Sequence, residues 1–328
     1  MITEPAFTFI KTNGITLRAV VQGEGPLVVL VHGFPESWHA WRHQIQPLAA
    51  HGFKVCAVDL RGYGGSDKPH PVEAYDLESM TGDLAGVIEA LSNGQKGILI
   101  GHDWGAALVW NTALLRPDVV GAVAALSVPF LGIGDVAFID MVKVLFTDKN
   151  RFFYQAYFQP EGIAEADLEA DLDGFIRKFY FWISGEAAGM RLGLGKPANA
   201  KLTDGLIAAN PFPAWMSEDD VAYLVAEFEK SGLRGPINRY RNQHRDVAFM
   251  LPHKGRSIHQ PALFIGGTED LVLKFTPGID PIEVMKTVVP NLSKAVLLEG
   301  CGHWTQQERP DAVTKHLGEW LTSLPSAL

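Results

Sequence analysis

Residues 97–116 constrain this chain more than any others. Gly97-Ile98-Leu99-Ile100 is short, apolar and partly β-branched, the composition of a buried parallel strand. Gly101-His102-Asp103-Trp104-Gly105 follows, and then residues 106–116, a helix pattern that stops at Pro117. A strand, a glycine-bounded turn and a helix form the setting of a nucleophile elbow, G-x-Nu-x-G. The glycines omit Cβ atoms that would clash in so tight a turn, so one side chain can stand exposed above the sheet. Here that side chain is Asp103. A carboxylate is already ionised at neutral pH and attacks without first giving up a proton. It suits displacement at an sp³ carbon with formation of an enzyme ester, where serine would suit acyl transfer. A loop aspartate capping the next helix accounts for Asp103, but for neither glycine nor the strand before it.

At 328 residues the chain has room for one large α/β domain carrying an insertion. With 47% hydrophobic and 20% charged residues its composition is that of an ordinary globular protein. A net charge of −9, with no Lys/Arg cluster to offset it, argues against a nucleic-acid partner. Cys56, inside the apolar run 55–60, and Cys301 suggest no disulfide framework, so a reducing, cytoplasmic setting is expected. Residues 1–9 carry no basic segment leading into a long apolar one, so no secretory signal is expected. No run of ~18 uncharged apolar residues is present, which argues against a membrane span. Nothing in the sequence fixes an oligomeric state; a homodimer is admitted.

Strand patterns fall at residues 15–21 and 27–31, separated by the turn Gly23-Glu24-Gly25-Pro26, and again at 53–60, 97–100, 120–127, 261–266 and 295–298. Helix patterns fall at 37–50, 76–91, 106–116, 282–288 and 311–321. The β/α alternation breaks after Pro129. Residues 130–251 hold aromatic-rich helical patterns and a Gly-rich loop at 185–197, with no convincing parallel strand. The expected fold is one doubly wound, mostly parallel α/β sheet interrupted by a helical insertion. Placed after the strand that follows the elbow, the insertion can fold over the carboxyl ends of the strands, where open α/β sheets bind ligands.

Three further strand ends supply partners for Asp103. His32-Gly33-Phe34-Pro35 follows the strand at 27–31. In chains with such an elbow the oxyanion is held by two backbone N–H groups, here those of Trp104 and Phe34. Phe34-Pro35 is a candidate cis bond. Gly300-Cys301-Gly302-His303-Trp304 follows the strand at 295–298 and puts His303 on a flexible loop, suited to general-base work. Gly266-Gly267-Thr268-Glu269-Asp270 follows the strand at 261–266. Asp270 is preferred over adjacent Glu269 as the carboxylate that orients His303, because the apolar Leu271-Val272-Leu273 would bury it. The chain order of nucleophile, acid and histidine is the one found with this elbow. No cluster with metal-ligand spacing is apparent and no organic cofactor is implied.

With these motifs in hand, the chain resembles the soluble, cap-bearing epoxide hydrolases of the α/β-hydrolase fold. The likeness runs through His32-Gly33-Phe34-Pro35-Glu36-Ser37-Trp38, Asp59-Leu60-Arg61-Gly62-Tyr63-Gly64, the elbow, Gly302-His303 and Gln307-Glu308-Arg309-Pro310. It implies a hydrolase core at 1–129 and 258–328 and a helical cap, or lid, at 130–257. It also implies two lid tyrosines that hydrogen-bond an epoxide oxygen. Tyr154-Gln155-Ala156-Tyr157-Phe158-Gln159-Pro160 resembles the first lid segment, with Tyr154 in the functional place and Tyr157 one helical turn on. Asn238-Arg239-Tyr240-Arg241-Asn242 resembles the second, with Tyr240 in that place. An alkoxide is a poor leaving group, and two neutral phenols can share the task of polarising it. By the same resemblance Glu36 positions the hydrolytic water; the alternative is a first-turn glutamate favoured by a helix dipole. His102 is read as structural, joined to the same network.

The implied reaction is hydrolysis of a small-molecule epoxide to a vicinal diol through an aspartyl ester. Most of the core motifs are shared with haloalkane dehalogenases, in which the Trp104 indole could cradle a halide. Fluoroacetate dehalogenases tend to have Arg where Trp104 stands. A non-catalytic small-molecule receptor on the same fold is the remaining alternative, and the intact Asp103, Asp270 and His303 set argues against it.

Overall fold

Continuous apolar runs settle at the centre of a sheet, and their order sets everything above it. A computed structural model of the protein describes residues 5–190, 195–275 and 278–325. Eight strands form one sheet: β1 (Phe7–Thr12), β2 (Ile15–Gln22), β3 (Leu27–Val31), β4 (Lys54–Val58), β5 (Gly97–His102), β6 (Val120–Leu126), β7 (Ala262–Gly267) and β8 (Leu292–Leu298). Their order across the sheet is β1-β2-β4-β3-β5-β6-β7-β8. β1 and β2 pair antiparallel, β2 meets β4 antiparallel, and every remaining pair is parallel. Every residue of β3, β5, β6 and β7 is buried, as strands covered by helices on both faces must be.

The helices divide between the two faces. α1 (Arg42–Ala50) packs with the last helix, which runs Pro310–Ser323, on one side; Ile45, Leu48, Val313 and Leu317 meet Val28 and Leu30 of β3 there. On the other side α2 (Leu77–Leu91) and α3 (Trp104–Leu115) bring Leu84, Val87 and Val109 against Val29 and Val31 of the same strand. The inward positions of β3 thus alternate between two cores, as the pleat requires. Asp76 caps α2 by accepting the Ser79 N–H at 2.8 Å.

Between β6 and β7 the described residues form helices and irregular segments and no strand. It runs through α4 (Phe138–Leu145), α5 (Tyr154–Tyr157), α6 (Ile163–Glu169), α7 (Leu172–Trp182), α8 (Glu218–Ser231), α9 (Arg234–Asn238) and α10 (Gln243–Met250). After β7 come α11 (Pro281–Val288), β8, α12 (Thr305–Glu308) and α13 (Pro310–Ser323). The mostly parallel sheet with an inserted helical cap is therefore the architecture observed. The cap sits on the core through buried contacts: Tyr180 of α7 donates to the Pro35 carbonyl at 2.9 Å and stacks on Trp304 with ring centres 4.1 Å apart.

Three local differences from the sequence reading have physical causes. The sheet begins at Phe7, not Ile15, because Asn13 and Gly14 take positive φ and close a tight hairpin. The stretch 37–50 is split into a 3₁₀ turn, Trp38–Trp41, capped by Ser37, and α1 proper. The helix after the elbow starts at Trp104 and not at residue 106, so the turn itself is tighter than the glycine spacing suggested. Of the Gly-rich loop, 185–190 form a 3₁₀ turn and 191–194 lie outside the described residues, as do residues 1–4 of the N-terminal stretch. Among the described residues no helix is long and apolar enough to cross a membrane.

Candidate active site

Asp103 stands between the end of β5 and the start of α3 with φ 53° and ψ −119°, a strained conformation for a residue with a side chain. Tight packing around the turn enforces it. A Cβ on Gly105 would lie 2.1 Å from the Val31 carbonyl oxygen, so only glycine lets α3 start so close to β3. A Cβ on Gly33 would lie 2.4 Å from the Asp103 Cβ, so the loop after β3 can reach the carboxylate only because that residue is glycine.

That approach brings the Phe34 N–H to Asp103 Oδ1 at 2.9 Å, across a cis Phe34-Pro35 bond. Trp104 opens α3, and its N–H is one of the first-turn donors that a helix cannot use internally. The other carboxylate oxygen, Oδ2, lies 3.4 Å from His303 Nε2. On the far side of the ring, Nδ1 meets both oxygens of Asp270 at 3.1 and 3.0 Å. Asp270 is fully buried and also accepts the Val272 N–H at 2.9 Å, whereas Glu269 turns to the surface and pairs with Lys274 at 3.0 Å.

The charges of this line of residues are interdependent. Burial disfavours the Asp103 carboxylate, but the hydrogen bond and charge of His303, helped by the Phe34 N–H, hold its pKa below the ordinary aspartate value. Burial alone would strip the proton from His303; Asp270 and Asp103 overcome it and raise the imidazole well above its usual pKa. Both effects favour a protonated His303 beside an ionised Asp103 in the resting site.

Glu36 lies deeper. Its Oε2 accepts the Gly33 N–H and His102 Nδ1, each at 2.8 Å, and its Oε1 accepts the side-chain amides of Gln306 and Gln307, each at 3.0 Å. These four donors fill the four acceptor sites of a carboxylate and leave none for a water. Glu36 also precedes the 3₁₀ turn, outside any α-helix first turn. Its role in this structure is to tie the loop after β3 to the α12 segment and to His102. His102 Nε2 in turn contacts the His303 carbonyl at 2.8 Å, which Ser127 Oγ also holds, at 2.7 Å. The loop bearing His303 is thus fixed from the β5 and β6 strand ends.

The cap supplies the opposite wall. Tyr154 of α5 and Tyr240, in the 3₁₀ turn after α9, pack edge to face with ring centres 5.7 Å apart. Both feel the Asp103 charge. Burial first, and the neighbouring negative charge after it, push both phenols well above their usual pKa, so both stay protonated donors. Tyr157 faces elsewhere: its hydroxyl donates to Asp167 at 2.6 Å, beside a groove on the outer side of the cap. Phe34 packs against Tyr240, Phe158 and Phe179 at 5.3, 5.4 and 6.1 Å, which gives the space above Asp103 aromatic sides.

Trp104 is engaged on two sides. Its indole N–H is directed at the Tyr240 phenol, and the Arg239 guanidinium lies over its ring, 4.6 Å from the centroid. Arg239 is itself anchored to the Tyr75 carbonyl at 2.7 Å and to Asp246. In the sequence Trp104 stood out for its backbone N–H and, in the dehalogenase alternative, its indole, whereas Arg239 had no role. A cation immediately before the lid tyrosine was the available signal.

A family model described as alpha/beta hydrolase fold matches residues 26–310. Epoxide hydrolase A of Mycobacterium tuberculosis is 41% identical over 329 aligned positions, covering 98% of each chain. Among solved structures, an epoxide hydrolase from an endophytic Streptomyces superposes with a TM-score of 0.92 at 42% identity, covering 97% of this chain and 95% of the other. Epoxide hydrolase A from Mycobacterium thermoresistibile gives 0.91 at 39% identity, covering 98% and 99%. The chain belongs to the α/β-hydrolase family and, within it, to the epoxide hydrolases.

Proposed function

We propose that this enzyme converts an epoxide and water to a vicinal diol, with Asp103 as nucleophile, His303 and Asp270 as base and orienter, and Tyr154 and Tyr240 as the groups that hold the epoxide oxygen. The observation that carries the assignment is the meeting of two halves: Phe34 and Trp104, which flank the Asp103 carboxylate on the sheet side, pack on the Tyr240 ring of the cap at 5.3 and 5.1 Å, and Tyr240 packs on Tyr154 at 5.7 Å. Because the Phe34 N–H holds Oδ1, the attacking oxygen is Oδ2, on the His303 side. Oδ2 attacks a ring carbon, the C–O bond breaks, and the leaving oxygen takes a proton from a phenol. The product is a hydroxyalkyl ester whose carbonyl oxygen, Oδ1, already lies on the oxyanion donor.

Ester formation removes one of the two negative charges that keep the proton on His303. The imidazole then passes its proton back to the phenolate left by the first step, which restores the phenol and leaves a neutral imidazole as the base for the second step. A water deprotonated by His303 Nε2 adds to the Asp103 carbonyl carbon. The oxyanion is held by the Phe34 and Trp104 N–H groups; its collapse breaks the ester C–O bond, and the departing alkoxide takes the proton of the newly added hydroxyl, which frees the diol and restores the carboxylate. The dehalogenase alternative is disfavoured by the two buried lid phenols, which displacement of a halide does not need, and by the epoxide hydrolases the chain is similar to.

The decisive test is a single turnover in ¹⁸O-labelled water. The label enters the Asp103 side chain and is absent from the first diol; label found in the diol alone ends the covalent scheme. His303→Gln is expected to accumulate the ester, seen as a mass increase equal to that of the epoxide, since only the second step needs the base. We assign residues 130–257 to the cap and 1–129 and 258–328 to the core, supported by the helices α4 to α10, which follow one another with no strand among the described residues between the adjacent strands β6 and β7. A cytoplasmic location is supported by Cys56 and Cys301, both free thiols and both buried.

A further inference from the structure

Beneath Tyr154 the cap contains a chain of side-chain amides that the catalytic scheme does not use. Gln155 Nε2 donates to the Tyr154 hydroxyl at 3.0 Å. Gln155 Oε1 accepts from Gln243 Nε2 at 2.9 Å, and Gln243 Oε1 accepts the backbone N–H of Ile139 at 2.9 Å. Both glutamines are buried, at 8% and 7% exposure, so water does not compete for these bonds. Gln159 adds a brace, its amide reaching the backbone carbonyls of Gln155 at 2.8 Å and Tyr240 at 3.1 Å.

The direction of this chain is not arbitrary. An amide oxygen accepts only and an amide nitrogen donates only. The Ile139 N–H, in the first turn of α4, can only donate, so the Gln243 oxygen must face it. The Tyr240 carbonyl, 3.2 Å from Gln243 Nε2, can only accept, so the nitrogen must face that way. Two backbone groups thereby fix Gln243, Gln243 fixes Gln155, and Gln155 is left with a donor against the Tyr154 oxygen. A phenol proton ordinarily rotates to suit its surroundings. Here the oxygen is an acceptor on the Gln155 side, and its own proton is left to point away from residue 155, to the side shared by Tyr240 and Asp103. Donation to the phenol oxygen also makes its O–H a stronger donor.

We propose that Gln155 and Gln243 are positioning residues that make Tyr154 an obligate donor toward the epoxide oxygen. The proposal rests on the reading that Tyr154 acts in ring opening. It assigns to the two glutamines an effect on the first chemical step and none on the second.

Glutamate substitutions reverse the relay while keeping its shape. In Gln155→Glu the carboxylate cannot donate, so Tyr154 turns its proton onto residue 155. In Gln243→Glu the carboxylate draws the Gln155 amide nitrogen toward itself, which presents the Gln155 oxygen to Tyr154, one residue removed from the phenol. Stopped-flow measurement of ester formation and of ester breakdown separates the two steps. Each variant is expected to slow ester formation by about 10-fold, with breakdown changed less than about 2-fold. Gln243→Glu should recover as pH falls, because the introduced carboxyl, once protonated, donates where the amide did; a loss of packing has no such pH signature.

Combining Tyr154→Phe with Gln155→Glu should cost no more than Tyr154→Phe alone. If Tyr154→Phe slows ester formation but neither glutamate variant does, the relay is wrong and the lid-tyrosine reading stands. If Tyr154→Phe leaves ester formation unchanged, the underlying reading fails first. Equal slowing of both steps by the folded glutamate variants overturns the positioning role. If one variant fails to fold, the other decides.

Discussion

The two walls of this site are held in place by different means. The sheet wall is built by backbone: Asp103 is aimed by a strand end and a strained φ, and its oxyanion donor is an amide brought close by Gly33. The cap wall is built by side chains: Tyr154 is aimed by Gln155 and Gln243, and Tyr240 by the Trp104 indole with Arg239 over its ring. A backbone-built wall is rigid and is spoiled by adding a single carbon. A side-chain-built wall is adjustable and is spoiled by reversing the direction of a hydrogen bond. In the proposed mechanism the chemistry is divided in the same way, with the covalent steps on the rigid wall and the polarisation of the leaving oxygen on the adjustable one.

The largest effect that would break this contrast is on the cap. Tyr154→Phe and Tyr240→Phe should each slow ester formation by about 10-fold and together by about 10³-fold, because one phenol partly covers for the other. Rapid-quench measurement of the first step checks this; a double variant no worse than one single variant would mean that the phenols do not share the oxygen. Next is the sheet wall. Gly33→Ala places a carbon where Asp103 lies and should lower kcat/KM by about 10²-fold, with both chemical steps affected, since nucleophile and oxyanion donor shift together. A variant with normal kinetics would show that the close approach is not needed.

The smallest effect concerns pH. In the free enzyme the raised His303 pKa stabilises the fold below the unfolded value of about 6.5, and this contribution is lost as pH rises through the folded value. The depressed Asp103 pKa acts in the opposite sense, its contribution being lost as pH falls through the folded value. Once Asp103 is esterified, one of the charges raising His303 is gone. The rate of ester breakdown should therefore rise with pH, with a midpoint lower than the His303 titration seen by NMR in the free enzyme. A midpoint at or above the free-enzyme value would contradict the release of the base by alkylation.

The same contrast governs what could be read from the amino acids alone. Asp103, Phe34 and His303 announce themselves through glycines and strand ends, because backbone geometry leaves a spacing in the sequence. Asp270 and Glu269 are adjacent carboxylates, and burial under Leu271-Val272-Leu273 was the signal that separated them; the structure puts the first against His303 and the second against Lys274. Tyr154 and Tyr157 share a helical face in a simple wheel, yet α5 is a single turn, and its first tyrosine looks inward while the second meets Asp167. The amide relay was not legible, because Gln155, Gln243 and the Ile139 amide come together only when three cap segments have packed. Glu36 was misplaced for a like reason: its four donors come from Gly33, His102, Gln306 and Gln307, and no local pattern collects them. β1 was legible and overlooked, since Asn13-Gly14 is an ordinary hairpin signal.

The cap departs from β6 and returns to β7, and these two strands are hydrogen-bonded neighbours, with Val123 opposite Ala262 and Leu126 opposite Ile265. The whole cap is therefore a detour between two adjacent rails. Lengthening, trimming or exchanging it leaves the sheet register untouched, because the sheet records only where the detour starts and ends. A scaffold of this kind can acquire a new roof, and with it a new appetite for substrates, without disturbing the floor on which the covalent bond is made.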